Sequence, residues 1–208
     1  METSGDIKFV VGLGNPGKAY ARTRHNIGFQ ALDALRRRWT IAEAGRAAFG
    51  GTLWDVRRQG PLGPQRVMLL EPMTYMNRSG QAVAALLGFY KAAPRDALIV
   101  LDDLALPPGQ LRLRAEGSAG GQKGLIDILT TLGTDAVPRL RVGIGSPTPP
   151  MDAADYVLAV PGSDEAELLA QALQRAAEAI EEWVYRGVDR AMEKFNVKPR
   201  DSSESPEK

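Results

Sequence analysis

The chain has 208 residues, of which 44% are hydrophobic and 25% charged, a length and composition that suit one well-packed domain. Because the formal net charge is only +1, any surface that binds nucleic acid must be a local basic patch. It contains no cysteine and a single histidine, which excludes disulfides and thiolate chemistry and would force a zinc site to rely on carboxylates, so we expect no metal. The first residues do not form a basic-then-apolar leader and no segment approaches the roughly 20 apolar residues of a membrane span, so we expect a cytoplasmic protein with no membrane partner.

Apolar runs typical of β-strands alternate along the chain with amphipathic patterns typical of helices. Residues 97–101 are continuously apolar, as in a strand buried on both faces, and the sequence QGPLGP after residue 58 is typical of a hairpin turn. We therefore predict a single α/β domain with a mixed, twisted sheet flanked by helices. The predicted strands are 7–11, 47–58, 65–71, 97–101, 111–114 and 139–144, and the predicted helices are 27–38, 79–91, 125–132 and a long one from Ser163.

The long C-terminal helix is predicted to begin at Ser163, which can cap it, and acidic residues suit its first turn. After Asn196 the sequence VKPRDSSESPEK is polar, so we predict one domain over residues 1–196 and a disordered tail over 197–208. The apolar face of the helix comprises Leu169, Ala172, Leu173, Ala176, Ile180, Trp183 and Val184.

Polar side chains follow three predicted strands at the points where those strands end. Asn15 follows the strand at 7–11, Asn77 comes a few residues after the strand at 65–71, and Asp102 directly follows residue 101. His25, the single histidine, lies a short turn beyond the first strand. Because ligands in α/β sheets bind beyond the carboxyl ends of the strands, we predict a site at this edge with His25 as a general base.

Each of these residues also has an ordinary structural interpretation. A single histidine can be exposed or structurally hydrogen-bonded, Asn77 can be the N-cap of the next helix, and Asp102 can cap a turn. Asn15 begins the sequence Asn-Pro-Gly, which favours a turn by itself. All four explanations would have to hold at the same sheet edge, so the convergence favours a functional site.

Two glycine-rich segments suggest nucleotide binding, but their surroundings do not support it. Residues 12–17 have the spacing G-x-G-x-x-G, yet Pro16 and a polar stretch separate them from the next helix, and the nearest acid, Asp33, lies inside that helix. The loop GSAGGQKG at 117–124 does not match a phosphate-binding loop, because glutamine precedes its lysine and glycine follows it. We predict neither motif to be functional as such.

Five segments together resemble bacterial-type peptidyl-tRNA hydrolases. They occur in the order and spacing of that family, and the resemblance covers roughly residues 6–196. It implies a monomeric, cofactor-free α/β hydrolase that cleaves the ester between a peptide and the 3′ ribose of tRNA and so recycles the tRNA. The segments are VVGLGNPGKAYARTRHNIGF at 10–29, EPMTYMNRSG at 71–80, LDDLALPPG at 101–109, GSAGGQKGL at 117–125 and RLRVGIGSP at 139–147.

The same resemblance implies the catalytic residues, and the chemistry of their side chains agrees with it. His25 is implied as the base and Asp102 as its partner, because a neutral imidazole can take a proton from water and a carboxylate can hold its tautomer. Asn77 can orient the water or donate to the developing oxyanion.

A second group of residues is assigned to substrate binding. Tyr20 could stack on the terminal adenine or simply pack, and Asn15 could contact the peptide main chain, whereas we expect Asn26 to serve local structure. The predicted substrate-binding residues are Asn15, Tyr20, Tyr75, Met76 and Lys123.

The RNA requires cations near the site. We predict phosphate contacts from Arg112, Arg114 and Arg141, whose segments are expected to approach the same edge, although the first two could equally be the solvent face of an alternating strand. The expected partner is peptidyl-tRNA, bound through its acceptor stem and 3′ end and recognised mostly by shape and backbone.

The chain departs from the family pattern in one loop and at two further positions. Where the family commonly has Gly-Gly-His-Asn-Gly, residues 120–124 are Gly-Gly-Gln-Lys-Gly, so an ammonium replaces an amide at Lys123. Leu101 and Ala105 stand where a histidine and a second aspartate are frequent. The proline-rich residues 146–155 could be a lid over the site or an ordinary surface loop.

Two other functions remain open at this point. Some plant organellar relatives of similar fold are RNA-binding splicing factors, so a non-catalytic RNA-binding module is the main alternative. A generic esterase for small substrates is the third possibility, and it would be indifferent to the basic residues.

Overall fold

The structure is a computed structural model that describes residues 7–196, and within them a central β-sheet is covered by helices on both faces. The strands are β1 (Ile7–Gly12), β2 (Arg46–Ala48), β3 (Gly51–Gly60), β4 (Gly63–Pro72), β5 (Ala97–Asp103), β6 (Leu111–Arg114) and β7 (Arg139–Gly143). The helices are α1 (Ile27–Arg38), α2 (Ser79–Tyr90), α3 (Lys123–Leu132), α4 (Ala153–Leu158), α5 (Ser163–Arg186) and α6 (Val188–Phe195), with short 3-10 turns at Arg24–Asn26, Met76–Arg78 and Pro94–Asp96.

The sheet is mixed, in the strand order β2-β3-β4-β1-β5-β7-β6. Its four middle strands, β4, β1, β5 and β7, run parallel, whereas β2 and β3 are antiparallel at one side and β6 at the other. The carboxyl ends of the parallel strands therefore lie along one edge. This arrangement confirms the predicted α/β domain with a mixed sheet.

Two hydrophobic cores, one on each face, hold the sheet in place. On one face α1, α5 and α6 bury Trp39 and Trp183 against residues such as Val10. On the other face α2 and α3 pack against Phe9 and Ile99. The prediction for β5 is confirmed, because every residue of this strand is buried, as its continuous apolar sequence requires.

The structure corrects one predicted strand and defines the end of the long C-terminal helix. The strand predicted at 47–58 is two strands, because Phe49 and Gly50 adopt positive φ angles of 51° and 69° and turn the chain between β2 and β3. The long helix from Ser163 ends at Arg186, and Gly187, with a φ of 83°, starts the separate helix α6.

The helix α5 is also capped differently from the prediction. Gly162 occupies the N-cap position, and the Ser163 hydroxyl donates instead to the carboxylate of Asp164. Residues 146–155 are not wholly a loop, because α4 begins at Ala153 with the side chain of Asp152 as its N-cap. This short helix was missed because it has only six residues, none of which is fully buried.

The edge strand β6 is covered at its centre by the residue that follows α6. The Leu113 amide donates to Oδ1 of Asn196 at 2.7 Å, and Nδ2 of Asn196 donates to the Leu113 carbonyl at 3.1 Å. The predicted tail at 197–208 lies outside the described residues. No helix within residues 7–196 is both long enough and apolar enough to span a lipid bilayer.

Candidate active site

Glycines bring helix α1 directly against the ends of two strands. A Cβ atom on Gly28 would collide with the backbone of Leu13 and with the carbonyl oxygen of Val100, and one on Gly12 would collide with the Gly28 carbonyl. Only hydrogen at these positions permits such a close approach of helix and sheet. The turn Arg24–Asn26, immediately before α1, is thereby fixed at the carboxyl ends of β1 and β5.

The imidazole of His25 contacts the carboxylate that ends β5. His25 Nδ1 lies 2.8 Å from Asp102 Oδ2, and the two side chains are only 13% and 4% exposed. Because a carboxylate can only accept, the proton of the neutral imidazole resides on Nδ1 and leaves the Nε2 lone pair unused. The structure thus brings together the two residues that the sequence placed at one edge, and it excludes the simpler role of Asp102 as a turn cap.

The turn cap is the neighbouring carboxylate. Asp103 Oδ1 accepts from the Ala105 amide at 2.8 Å, while Asp103 Oδ2 accepts from Arg141. Adjacent residues of one strand therefore have different functions, since one carboxylate is directed towards His25 and the other supports the following turn.

Gln122 is part of the same cluster, although sequence reasoning assigned it no function. Its Nε2 atom donates to Asp102 Oδ1 at 3.1 Å, so each carboxylate oxygen of Asp102 has one N–H donor. The available signal was indirect: Gln122 stands where the resembled family commonly has histidine.

A second set of hydrogen bonds joins Asn15, Asn26 and Met76. The Asn26 side chain accepts from the backbone amide of Asn15 and donates to its carbonyl, both at 2.9 Å, which confirms the expected structural role of Asn26. The Asn15 side chain accepts from the Met76 amide at 3.0 Å through Oδ1. Its Nδ2 group has no hydrogen-bond partner among residues 7–196 and is free for a ligand.

The remaining candidate residues present side chains at the surface. Asn77 is exposed in the turn Met76–Arg78, and the N-cap position of α2 belongs to Arg78, so the interpretation of Asn77 as a helix cap is wrong. Tyr75 is 60% exposed, Tyr20 is half-buried, and Lys123 is exposed at the first residue of α3. Their assignment to substrate binding stays a prediction.

The family model described as peptidyl-tRNA hydrolase matches residues 9–204 of the chain. The chain belongs to this family. A peptidyl-tRNA hydrolase of Symbiobacterium thermophilum is 48% identical over 190 residues, covering 91% of this chain and 99% of that protein. One from Rhodopirellula baltica is 44% identical over 191 residues, covering 92% of this chain and 98% of that protein.

Solved structures give the same result. A crystal structure of peptidyl-tRNA hydrolase from Acinetobacter baumannii matches with a TM-score of 0.84 at 38% identity, covering 95% of this chain and 97% of that one. A peptidyl-tRNA hydrolase in complex with N-propanol matches with a TM-score of 0.85 at 36% identity, covering 97% and 100%. The family resemblance noted in the sequence is confirmed, and the family favours a hydrolase over a non-catalytic RNA-binding module.

Four arginines lie on one face of the β6–β7 pair. Arg112 is paired with Arg141, near the carboxyl edge, but Arg114 is paired with Arg139 at the other end of the ladder. The expectation that Arg114 approaches the site edge is therefore wrong. Burial and the neighbouring Arg141 lower the pKa of Arg139 to about 10, and its guanidinium donates to three backbone carbonyls, including that of Gly117.

Arg141 also has intramolecular partners. Its guanidinium donates to Asp103 at 3.0 Å and to the Ser118 carbonyl at 2.6 Å, which holds the glycine-rich loop before α3 against β7. Arg112, half-buried on the neighbouring strand, has no hydrogen bond or ion pair within residues 7–196. Contacts of Arg112, Arg114 and Arg141 with tRNA phosphates stay predictions.

Arg24, next to His25, connects the site to the α4–α5 segment. It forms a bidentate ion pair with Glu165, with Nε to Oε1 at 2.7 Å, and its Nη1 donates to the carbonyls of Tyr156 and Ala159. The hydrogen-bonded Glu165 carboxylate raises the pKa of Arg24 further. Because this arginine is buried and paired, it fixes both the His25 turn and the end of α4. Sequence reasoning missed it, and whether residues 146–155 form a lid is still a prediction.

Among the described residues, no group of three or more histidine, cysteine, aspartate or glutamate side chains is arranged to hold a metal ion.

Proposed function

We propose that the chain hydrolyses the ester bond between a peptide and the 3′ ribose of tRNA, using water activated by His25. The observation that supports this most directly is the 2.8 Å contact between His25 Nδ1 and Asp102 at the carboxyl edge of the sheet. Family membership supplies the substrate class. The reaction releases the peptide as a carboxylic acid and the tRNA with a free 3′ hydroxyl.

The proposed chemistry follows from the tautomer. Nε2 of His25 takes a proton from water, the resulting hydroxide attacks the ester carbonyl carbon, and the buried Asp102 carboxylate stabilises the imidazolium. When the tetrahedral intermediate collapses, the bond to the ribose oxygen breaks and the imidazolium returns its proton to that oxygen. No serine or cysteine nucleophile is needed.

Amide groups beside His25 suit the other atoms of the substrate. Asn77, exposed and free of the capping role, can orient the water or donate to the oxyanion, and loss of such a donor typically costs about 10²–10³ in rate. The free Nδ2 group of Asn15 can donate to a carbonyl of the peptide. Tyr20, Tyr75 and Met76 would then line the space for the terminal nucleotide and the first peptide residues.

The proposal for the RNA places its acceptor stem and 3′ end over α3 and the β6–β7 pair. Lys123 and Arg112 have no ion-pair partner in the described part of the chain, and neither does Arg114 at the far end of the ladder; Arg141 would act mainly by holding the loop. Phosphate contacts of this type are independent of base sequence, so many tRNAs would be accepted. We further propose that the protein acts as a monomer, as the family resemblance implies, and that it works in the cytoplasm.

The decisive experiment is hydrolysis of an N-acetyl-aminoacyl-tRNA by the native protein and by single-site variants. We expect His25→Ala to abolish nearly all turnover because the base is lost, and Asp102→Asn and Asn77→Ala to cause strong but incomplete losses. Asp189→Asn, at an exposed position of α6, is a matched control for the aspartate change and should turn over like the native protein.

The same assay also separates the other functions. A native rate in His25→Ala would contradict the proposed mechanism, and no turnover by the native protein would favour an RNA-binding module. Hydrolysis of small esters that does not depend on RNA would favour a generic esterase.

A further inference from the structure

The second oxygen of the Asp102 carboxylate has a partner that the proposed reaction does not use. Asp102 Oδ2 is bonded to His25 Nδ1 at 2.8 Å, and Asp102 Oδ1 accepts from Gln122 Nε2 at 3.1 Å. The carboxylate is only 4% exposed, so these two donors are its hydrogen-bond partners within residues 7–196. Together they determine the orientation of the carboxylate around its Cβ–Cγ bond.

The orientation of the Gln122 amide is fixed by its own contacts. Oε1 accepts from the backbone amide of Leu125 at 2.7 Å and so caps helix α3, while Nε2 faces the carboxylate and also lies 3.2 Å from Met76 Sδ. A flipped amide would place an oxygen against the carboxylate and an NH₂ group against a backbone N–H, losing both bonds. The helix cap therefore holds the donor towards Asp102.

We infer that Gln122 is a positioning residue for the His25–Asp102 pair, an inference that rests on the proposed function. It holds the carboxylate so that Oδ2 points at Nδ1 of His25, and the N-terminus of α3 in turn holds Gln122. Because an amide does not titrate, this orientation is the same on both sides of neutral pH.

The other charged groups around the pair are already engaged or face solvent. Arg24, on the His25 turn, is paired with Glu165, and Asp103 on β5 is paired with Arg141. Lys123 on α3 is exposed. Arg24 and Asp103 are therefore neutralised by their partners, and a change at Gln122 should register clearly in the NMR signal of the imidazole.

The test uses two substitutions that separate three effects. Gln122→Glu keeps an oxygen to cap α3 but loses the donor and adds a negative charge, whereas Gln122→Met loses both the cap and the donor without adding charge. A donor effect appears in both variants, a cap effect only in the methionine variant, and a charge effect only in the glutamate variant. Gln59→Glu, at an exposed position of β3, controls for the added net charge.

Two measurements are made on each variant. The first is kcat and KM for N-acetyl-aminoacyl-tRNA; we expect kcat to fall about 10- to 100-fold in both variants, as when a partner that orients a ligating histidine is removed, with KM nearly unchanged. The second is the NMR chemical shift of the imidazole Nδ1–H group. Since the chain has one histidine, its signal needs no assignment if the protein is prepared without a histidine tag.

We expect the NMR chemical shift of the His25 Nδ1–H group to change in both variants, because Asp102 loses the donor that orients its carboxylate. The inference is overturned if kcat falls in only one of the two variants, or if this chemical shift is the same in both variants as in the native protein. Failure of the proposed function has a different outcome: His25→Ala would remain active, while the chemical shift in the Gln122 variants would still report the contact of Gln122 with Asp102.

Discussion

Glu71 carries a mostly buried carboxyl near the end of β4. Its Oε1 atom has no hydrogen-bond partner in the described structure. Burial and the nearby Asp33 raise the pKa of Glu71 to about 7, although Arg36 acts in the opposite direction. At pH values below about 7, the folded protein therefore keeps the Glu71 carboxyl mainly protonated.

This preference makes stability depend on pH. Since folding raises the pKa of Glu71 from 4.5 to about 7, the folded state binds a proton that the unfolded state has released, and stability is lost as pH rises through this window. Glu71→Gln removes the effect, so at pH 8 we expect it to be more stable than the native protein by about 2–3 kcal/mol, with little gain at pH 4.5. Urea unfolding at both pH values measures this.

An exposed glutamate provides the control for that comparison. Glu193→Gln, on the surface of α6, should leave the pH dependence of unfolding as it is in the native protein. If Glu71→Gln showed the native pH dependence as well, the carboxyl of Glu71 would not be the group responsible.

For individual residues, the sequence indicated which side chains lie at the strand ends, but it did not indicate all of their hydrogen-bond partners. His25 and Asp102 could be predicted to meet because the carboxyl ends of parallel strands share an edge. Nothing in the pattern could distinguish Asp102 from Asp103, since which of two adjacent carboxylates faces the imidazole depends on the twist at the end of β5. Gln122 and Arg24 were missed because their hydrogen bonds join segments far apart in the chain.

Among the secondary-structure elements, the contact between α1 and the sheet determines where His25 lies. Gly28→Ala would drive a methyl group into the backbone of Leu13 and Val100, which cannot yield as a flexible side chain could. We expect a loss of about 3 kcal/mol or more in unfolding free energy, at or above the usual range for overpacking, and a larger fractional loss of kcat than of tRNA affinity. Chemical unfolding and steady-state kinetics measure the two effects.

Helix α2 offers a matched glycine. A Cβ atom on Gly88 would have no heavy atom within 4 Å, so Gly88→Ala should stabilise the protein by up to about 1 kcal/mol through helix propensity. Equal losses in the two variants would mean that helix flexibility, and not the close approach to the strands, explains the effect of Gly28→Ala.

The elements that the sequence predicted best are those with a strong periodic or continuous pattern. Strand β5 and the buried face of α5 were predicted because burial on both faces, or on one stripe, leaves a clear signature. The turn at Phe49 was missed because its positive φ is unusual for a phenylalanine and is imposed by the hairpin around it. The break at Gly187 was missed because a single glycine can also continue a helix.

For the whole molecule, a net charge of +1 means that RNA affinity must come from a few local cations. If two or three phosphates are contacted, KM for peptidyl-tRNA should rise roughly 10- to 40-fold between 50 and 200 mM salt, while kcat changes little. Steady-state kinetics at several salt concentrations test this, and a KM independent of salt would contradict the phosphate contacts. Arg112→Gln should reduce the slope of log KM against log salt, whereas Arg190→Gln on α6 should not.

The order of the strands could not be derived from periodicity alone. The central position of β1 between β4 and β5 follows from long-range pairing, for example of Val11 with Leu70 and with Ile99. Neither the apolar patterns nor the family resemblance specified this order of the strands.

The amide of Asn196 has a further consequence for the outer strand β6. By accepting from the Leu113 N–H and donating to its C=O, one side chain imitates the peptide group of a neighbouring strand. An uncovered strand of this kind can recruit the same strand of another molecule and begin ordered aggregation. Asn196 therefore occupies the backbone groups of Leu113 that such strand-to-strand polymerisation would need, a role separate from catalysis.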